Sequence, residues 1–396
     1  MRLSGRLIVT LLAVLLAACA ERKEPPREPA LVLEPATFAD LPGWDEDDPS
    51  AALDAFRASC ARFQRQAPDK SMGGAGGFAG KVADWLPACA AASETAAAPE
   101  AARAFFASAF VPYRVTDRGQ PDGLFTGYYE PLLHGSRTPD ERFRHPLLKR
   151  PDDLVSVDLG QFDPELQGRR IAGKVEGGRL VPYADRAAIE AGALDGRQLE
   201  LLWVDDPIDK FFLEIQGSGQ VRLPDGATLR VGYADQNGRP YRAIGKDLIE
   251  IGAIPKEAVS MQSIRAWLLA HPDQAPAIMA RNPSYVFFRE LPVLAGASGP
   301  LGAQSVPLTP GRSLAIDRKF LPLGAPVWLD ATAPHPEGER PLRRLLVTQD
   351  TGGAIRGPVR GDVFWGAGPL AEHLAGHMKS EGRLFILLPR QLAPTS

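Results

Sequence analysis

Histidine and cysteine are scarce in this chain, six and three among 396 residues. No HExxH or CxxC spacing occurs, so the ligand sets of zinc sites are missing and no metal is expected. No G-x-S-x-G elbow offers a nucleophilic serine, although Gly217-Ser218-Gly219 has a superficial likeness to one. No glycine loop ending in Gly-Lys-Ser/Thr is present to cradle a nucleotide phosphate, and no other cofactor signature stands out. Lysine and arginine form no cluster or stripe. With Arg2 and Arg6 set aside, 43 basic residues face 48 acidic ones, a net charge of −5, which argues against a nucleic-acid partner. The apolar run Leu7–Leu16 is too short to span a bilayer, and no second run is long enough.

What is present begins with a targeting segment. Arg2 and Arg6 precede that apolar run, and Leu16-Ala17-Ala18-Cys19 resembles a bacterial lipobox. The resemblance implies a signal peptide over residues 1–18, cleavage before Cys19 and lipid modification of that cysteine. Ala20, rather than Asp, follows it, which by resemblance points to the outer membrane and its periplasmic face. Residues 19–44, which contain ERKEPPREPALVLEPA, are charged and Pro-rich and read as an extended lipidated tether. The two remaining cysteines, Cys60 and Cys89, close apolar helical stretches. A secreted location allows a disulfide between them; two buried thiols are the alternative.

From about 45 to 110 the chain is Ala-rich with helical periodicity, and Pro99-Glu100 opens the last helix. From about 111 the texture changes to short apolar runs broken by Gly, Pro and Asp, as in GLFTGYYEP, LLWV and ATLRVGY. Many short strands of this kind indicate a barrel or sandwich. A helical interlude near 246–280 is followed by further strands, among them SLAIDR, PVWLD, RLLVTQD and RLFILL. The fold class is therefore mainly β with flanking helices.

The chemistry concentrates in Val347–Gly368, VTQDTGGAIRGPVRGDVFWGAG, with Asp350, Asp362 and six glycines. Glycines permit tight turns and close approach of a ligand, and paired carboxylates suit acid–base work on an uncharged polymer. A glycine-rich hairpin with solvated aspartates is the plain alternative. Asp350-Thr351-Gly352 also matches the triplet of aspartic proteases. That mechanism needs two aspartates sharing a proton, whereas this chain has one triplet, with Gly353 in place of the usual small hydroxyl residue. Other glycine-rich segments supply Thr126, Tyr128, Gln216, Lys246 and Asp317, whose side chains suit the hydroxyl and amide groups of sugars. Each has an ordinary structural reading: Tyr128 as a packed strand aromatic, Lys246 as a solvated residue near a helix start.

Taken in order, FTGYYEP, EIQGSG, GYADQNGRPYRAIGKDLIE, QSIRAWL, NPSYVFF, PLTPGRSLAIDRKFLPLGAPVWL and QDTGGAIRGPVRGDVFWGAG resemble the membrane-bound lytic murein transglycosylase A family. The resemblance runs from about Ser50 to Leu388. It implies a double-psi β-barrel domain, residues 45–131 and 241–390, with N-terminal helices on it and a smaller β domain inserted at 132–240. Asp362 matches the family's single catalytic acid, and Asp350 matches the aspartate that opens the glycine-rich turn. Asp317, Thr126, Tyr128, Gln216 and Lys246 are the supporting or substrate-binding candidates.

The implied reaction is non-hydrolytic cleavage of the β-1,4 bond between N-acetylmuramic acid and N-acetylglucosamine in peptidoglycan, without a cofactor and, by resemblance, from chain ends. The implied partners are glycan strands, the outer membrane through the lipid, and cell-wall synthesis complexes. The alternative function is a non-catalytic peptidoglycan-binding lipoprotein.

Overall fold

The computed structural model describes residues 28–166, 169–291, 299–335 and 337–392. The signal segment and Cys19 lie outside the described residues. The chain opens with β1 (Leu31–Pro35) and three helices, α1 (Ser50–Phe63), α2 (Val82–Glu94) and α3 (Pro99–Ala109), before β2 (Phe110–Asp117) and β3 (Asp122–Glu130). Next come β4 (Leu132–Ser136), β5 (His145–Leu148), β6 (Val155–Asp158), β7 (Arg170–Glu176), β8 (Arg179–Pro182) and α4 (Arg186–Glu190). They are followed by β9 (Glu200–Val204), α5 (Pro207–Gln216), β10 (Ser218–Arg222) and β11 (Thr228–Gln236). The helices α6 (Ile244–Glu250), α7 (Met261–Ala270) and α8 (Ala275–Met279) lead to β12 (Val286–Leu291). The last part holds β13 (Ser313–Ile316), β14 (Pro326–Ala333), β15 (Arg340–Asp350), β16 (Arg360–Ala367), α9 (Pro369–His377) and β17 (Lys379–Pro389).

Six strands close into a barrel in the order β17-β14-β15-β13-β16-β3, the last pairing back onto β17. Two of its contacts, β13 with β15 and β16 with β3, are parallel, and the other four are antiparallel. This is the double-psi arrangement that the sequence resemblance implied. β2 and β1 extend the sheet from β17. Residues on both faces of β13, β14, β15 and β17 are fully buried, among them Leu314, Trp328, Leu345, Val347 and Ile386, and they form one core with Phe56, Trp85 and Phe106 of the N-terminal helices. Burying each such side chain contributes roughly 1.5–3 kcal/mol, so helices and barrel form one unit.

Two boundaries differ from the sequence expectation. The tether expected over 19–44 joins the sheet from Leu31, because β1 pairs antiparallel with β2 from Leu31↔Asp117 to Pro35↔Tyr113. Trp44 is buried against Trp328, with ring centroids 5.2 Å apart. A short apolar run suffices for an edge strand, where Pro35 is tolerated, although charged and proline-rich flanks disguise it. The inserted body, for its part, does not end at residue 240. Its sheet, in the order β12-β11-β10-β4-β9-β5, includes β12, and its edges approach through a bridge between Lys149 and Phe288. The helices after 240 bury Ile244, Leu248, Leu268 and Ile278 against Ile208, Phe211 and Phe212 of α5. The return to the barrel therefore follows Leu291. Secondary structure alone could not assign these helices, because only packing shows which body covers their apolar faces.

Cys60 of α1 and Cys89 of α2 form a disulfide, 29 residues apart in sequence. A loop of that length restricts the unfolded chain by roughly 3–4 kcal/mol. Cys60→Ser with Cys89→Ser is expected to lower the melting temperature measurably and to abolish its sensitivity to reductant. A melting temperature equal to that of the oxidised wild type would sink this expectation.

Candidate active site

The register of the barrel sets the site. Asp362 on β16 has Thr126 of β3 as its Cα partner on one side and Ala315 of β13 on the other. Ala315 in turn pairs with Asp350 at the end of β15, at a register shift. Thr126, Asp362, Ala315 and Asp350 thus stand along one rung of four neighbouring strands. Side chains opposite one another in a ladder share a face. Two carboxylates are brought onto one face with a methyl group between them, so nothing bulky separates the charges.

The turn between β15 and β16 needs its glycines for local reasons. Gly357 has φ +108°, which other residues rarely adopt, and its N–H donates to Asp317 Oδ2 at 3.0 Å. Asp317 Oδ1 accepts from the Lys319 N–H at 3.0 Å. Asp317 therefore holds the turn that delivers Asp362 and does not itself join the carboxylate pair. In β3, a Cβ at Gly127 would lie 2.5 Å from Trp365 Nε1, so the strand between Thr126 and Tyr128 approaches β16 only as glycine.

The two aspartates have unlike surroundings. Both Asp350 oxygens are engaged: Oδ2 accepts from the Tyr128 hydroxyl at 2.8 Å, and Oδ1 from the Ala303 and Thr351 N–H groups, each at 2.9 Å. Burial raises the Asp350 carboxyl above its ordinary range. The three hydrogen bonds oppose that rise, and the nearby charge of Asp362 adds to it. Burial, and then the charge of Asp350, push the Tyr128 phenol well above its usual range, so it stays a proton donor. Its ring also packs on Phe364, centroids 5.2 Å apart. Tyr128 is both a packed strand aromatic and a site residue.

Asp362 is about one-fifth exposed at its side chain. Its Oδ1 accepts from Thr126 Oγ1 and from Arg360 Nη1, and Arg360 Nη2 donates to Thr126 Oγ1 at 3.0 Å. Among the described residues, Oδ2 accepts no hydrogen bond. One aspartate is tied at both oxygens and the other at one.

Strand β3 also crosses into the inserted body, and that crossing is fixed. Glu130, buried at its end, accepts from Arg230 Nε at 2.7 Å and Nη2 at 3.0 Å and from Gln220 Nε2 at 2.9 Å. Gln216 Oε1 accepts from the Tyr129 N–H at 3.2 Å, tying the end of α5 to the strand that carries Thr126 and Tyr128. That helix starts where Asp206 caps the N–H groups of Ile208 and Asp209, and it stops at Gly217, φ +78°. Gln216 braces the junction and does not touch the aspartates. Lys246 is exposed on α6 within the helical cluster of the insert, and no contact joins it to them. A cavity of about 430 Å³ also lies in the insert, lined by His145, Arg186, Lys210 and Glu214. Its Arg186–Glu214 ion pair, at 2.6 Å, is internal, and it is remote in sequence and element from the rung.

The sequence reading missed Arg360, Ala315 and Arg230. Only the small size of Ala315 beside Asp317, and the arginine two residues before Asp362, could have signalled the first two. Glu130 stands out in FTGYYEP, but its pairing with Arg230, 100 residues away, left no local trace.

Family models match on both sides of this geometry. The MltA specific insert domain covers residues 124–289, and the 3D domain covers 312–388. A membrane-bound lytic murein transglycosylase from Agrobacterium tumefaciens superposes with a TM-score of 0.79 at 35% identity, covering 91% of this chain and 98% of that one. The chain belongs to the membrane-bound lytic murein transglycosylase A family. The Vibrio cholerae O1 protein of that name is 35% identical over 275 residues, which is 68% of this chain and just under two thirds, 66%, of the relative. The Escherichia coli MltA, solved with bound chitohexaose, has a TM-score of 0.64 at 27% identity over 92% of this chain and 93% of that one. The transglycosylase A insert model ends at residue 289, in keeping with β12 closing the inserted sheet.

Proposed function

We propose that this protein is a peptidoglycan lytic transglycosylase in which Asp362 is the only acid and base. The observation that carries this reading is the inequality of the two aspartates. Glycosidases that use water need a second free carboxylate, as base or nucleophile. Both oxygens of Asp350 are occupied by Tyr128, Ala303 and Thr351, which leaves it poorly placed for either role. A lone acid–base suffices if the nucleophile comes from the sugar itself. Asp362 gives its proton to the glycosidic oxygen as the C1–O bond breaks. The resulting carboxylate takes the proton of the muramoyl C6 hydroxyl as O6 bonds to C1. The proton on the enzyme is restored, no water is consumed, and a 1,6-anhydro end forms.

Family membership supports a β-1,4-linked amino-sugar polymer as the substrate, and the chitohexaose bound to the Escherichia coli relative is such a polymer. The glycan would run across the face of the rung, between the barrel and the inserted body. The curated relatives are named membrane-bound. We place the anchor at a lipidated Cys19, in the outer membrane with the catalytic body on the periplasmic side, where cell-wall synthesis complexes are the natural protein partners.

Mass spectrometry of sacculi digested by the purified full chain tests the reaction. Solubilised muropeptides are expected one water lighter than hydrolysis products. Reducing-end products would replace the reading with a lysozyme-like hydrolase, and binding without solubilisation would replace it with a non-catalytic glycan-binding lipoprotein.

A further inference from the structure

Arg360 lies two residues before Asp362 on β16 and pairs with Leu124 of β3. Its side chain is about one-seventh exposed and is fastened at four points. Nη1 donates to Asp362 Oδ1, to the Gly361 carbonyl at 2.7 Å and to the Leu124 carbonyl at 3.4 Å, while Nη2 donates to Thr126 Oγ1 at 3.0 Å. The single hydroxyl proton of Thr126 goes to the same Asp362 Oδ1. The three side chains close a triangle whose contacts with the carboxylate all fall on one oxygen. A planar guanidinium held by two carbonyls has little freedom, so the orientation of the Asp362 carboxylate is fixed with it.

We propose that Arg360 is a positioning residue that clamps Oδ1 of Asp362 and so assigns proton exchange with the glycan to Oδ2. The inference rests on the reading of Asp362 as the acid and base. The guanidinium in contact also offsets the charge that Asp362 carries in the half of the reaction in which it acts as base.

The other groups around Asp362 act differently. Asp350 lies across Ala315 and repels the charge, and Tyr128 on β3 stays neutral. Asp317, after β13, is engaged by Gly357. Lys379 on β17 is the Cα partner of Thr126 and is exposed to solvent, which weakens its field. On α9, which packs on β3 and β16, Glu372 interacts with Tyr129. Arg360 is the cation in direct contact.

The test compares wild type, Arg360→Met and Arg360→Lys on soluble glycan strands, with anhydro products counted and melting temperatures measured alongside. For Arg360→Met we expect kcat to fall about tenfold or more with KM within about twofold and a melting temperature near that of the wild type. Arg360→Lys recovers part of the lost kcat but not all of it, since an ammonium keeps the charge but lacks the fork that holds Oδ1 and Thr126 together. An unchanged kcat in Arg360→Met overturns the proposal, and so does a loss of kcat that comes with an equal rise in KM or with a fall in melting temperature, because those mark a binding or a merely structural arginine. Absence of anhydro products from the wild type would instead overturn the underlying reaction.

Discussion

Asp362→Asn is expected to lower turnover of intact sacculi by about 10³-fold or more, because one side chain performs both proton transfers. The amide oxygen can still accept from Thr126 and Arg360, so the triangle at Oδ1 survives and the barrel should melt near the wild-type temperature. Glycan binding should survive as well, since no contact other than the acid is lost. Pull-down of the variant by sacculi, scored beside muropeptide release, separates the two effects. An active Asp362→Asn together with an inactive Asp350→Asn would move the acid to Asp350. Occupied oxygens would then not disqualify a carboxylate from acting as the acid.

Asp350→Asn is expected to reduce turnover by about 10- to 100-fold while leaving the protein at least as stable at neutral pH. The activity loss follows from position. Asp350 stands two strands from Asp362 on the same rung, and it holds Tyr128 on the strand whose Thr126 contacts Asp362. The stability claim follows from the direction in which burial moves the Asp350 carboxyl, upward. A carboxyl held above its unfolded range binds its proton more tightly in the folded state. Its favourable contribution is complete below the unfolded value and is lost as pH rises through the folded one. At neutral pH the wild type therefore carries the cost of a buried charge that an amide would not. The melting-temperature difference, variant minus wild type, should grow as pH rises from about 4 and vanish below it. A variant that is less stable at neutral pH, by a margin that shrinks on acidification, would show that the hydrogen bonds from Tyr128, Ala303 and Thr351 outweigh the desolvation.

Much of the site was legible because it is local. Asp350, the glycines and Asp362 lie within one turn and its flanking strands. FTGYYEP announces itself by placing Thr126 and Tyr128 at alternate positions of a strand, with Gly127 between them. The disulfide was half legible: two cysteines on apolar helical stripes gave candidates, and only the packing of α1 on α2 joined them. Gln216 and Lys246 sit in equally conspicuous glycine-rich segments, yet one braces the junction between the bodies and the other is exposed on α6. Polar residues beside glycines mark tight backbone, which serves structure as often as chemistry.

By itself the sequence determined the strand-rich class, the family and the pair of candidate carboxylates, because alternation, turn residues and the order of motifs are properties of neighbouring residues. Tertiary structure decided what those neighbours mean. The parallel pairing of β16 with β3 puts Thr126 beside Asp362, 236 residues away. The shift between β13 and β15 sets Asp350 opposite Ala315. Burial by Tyr128 and two backbone amides engages one aspartate at both oxygens, and Arg360 engages the other at one. Two identical side chains in one segment differ in chemistry through their hydrogen-bond partners and dielectric surroundings, and these come from strands distant in sequence.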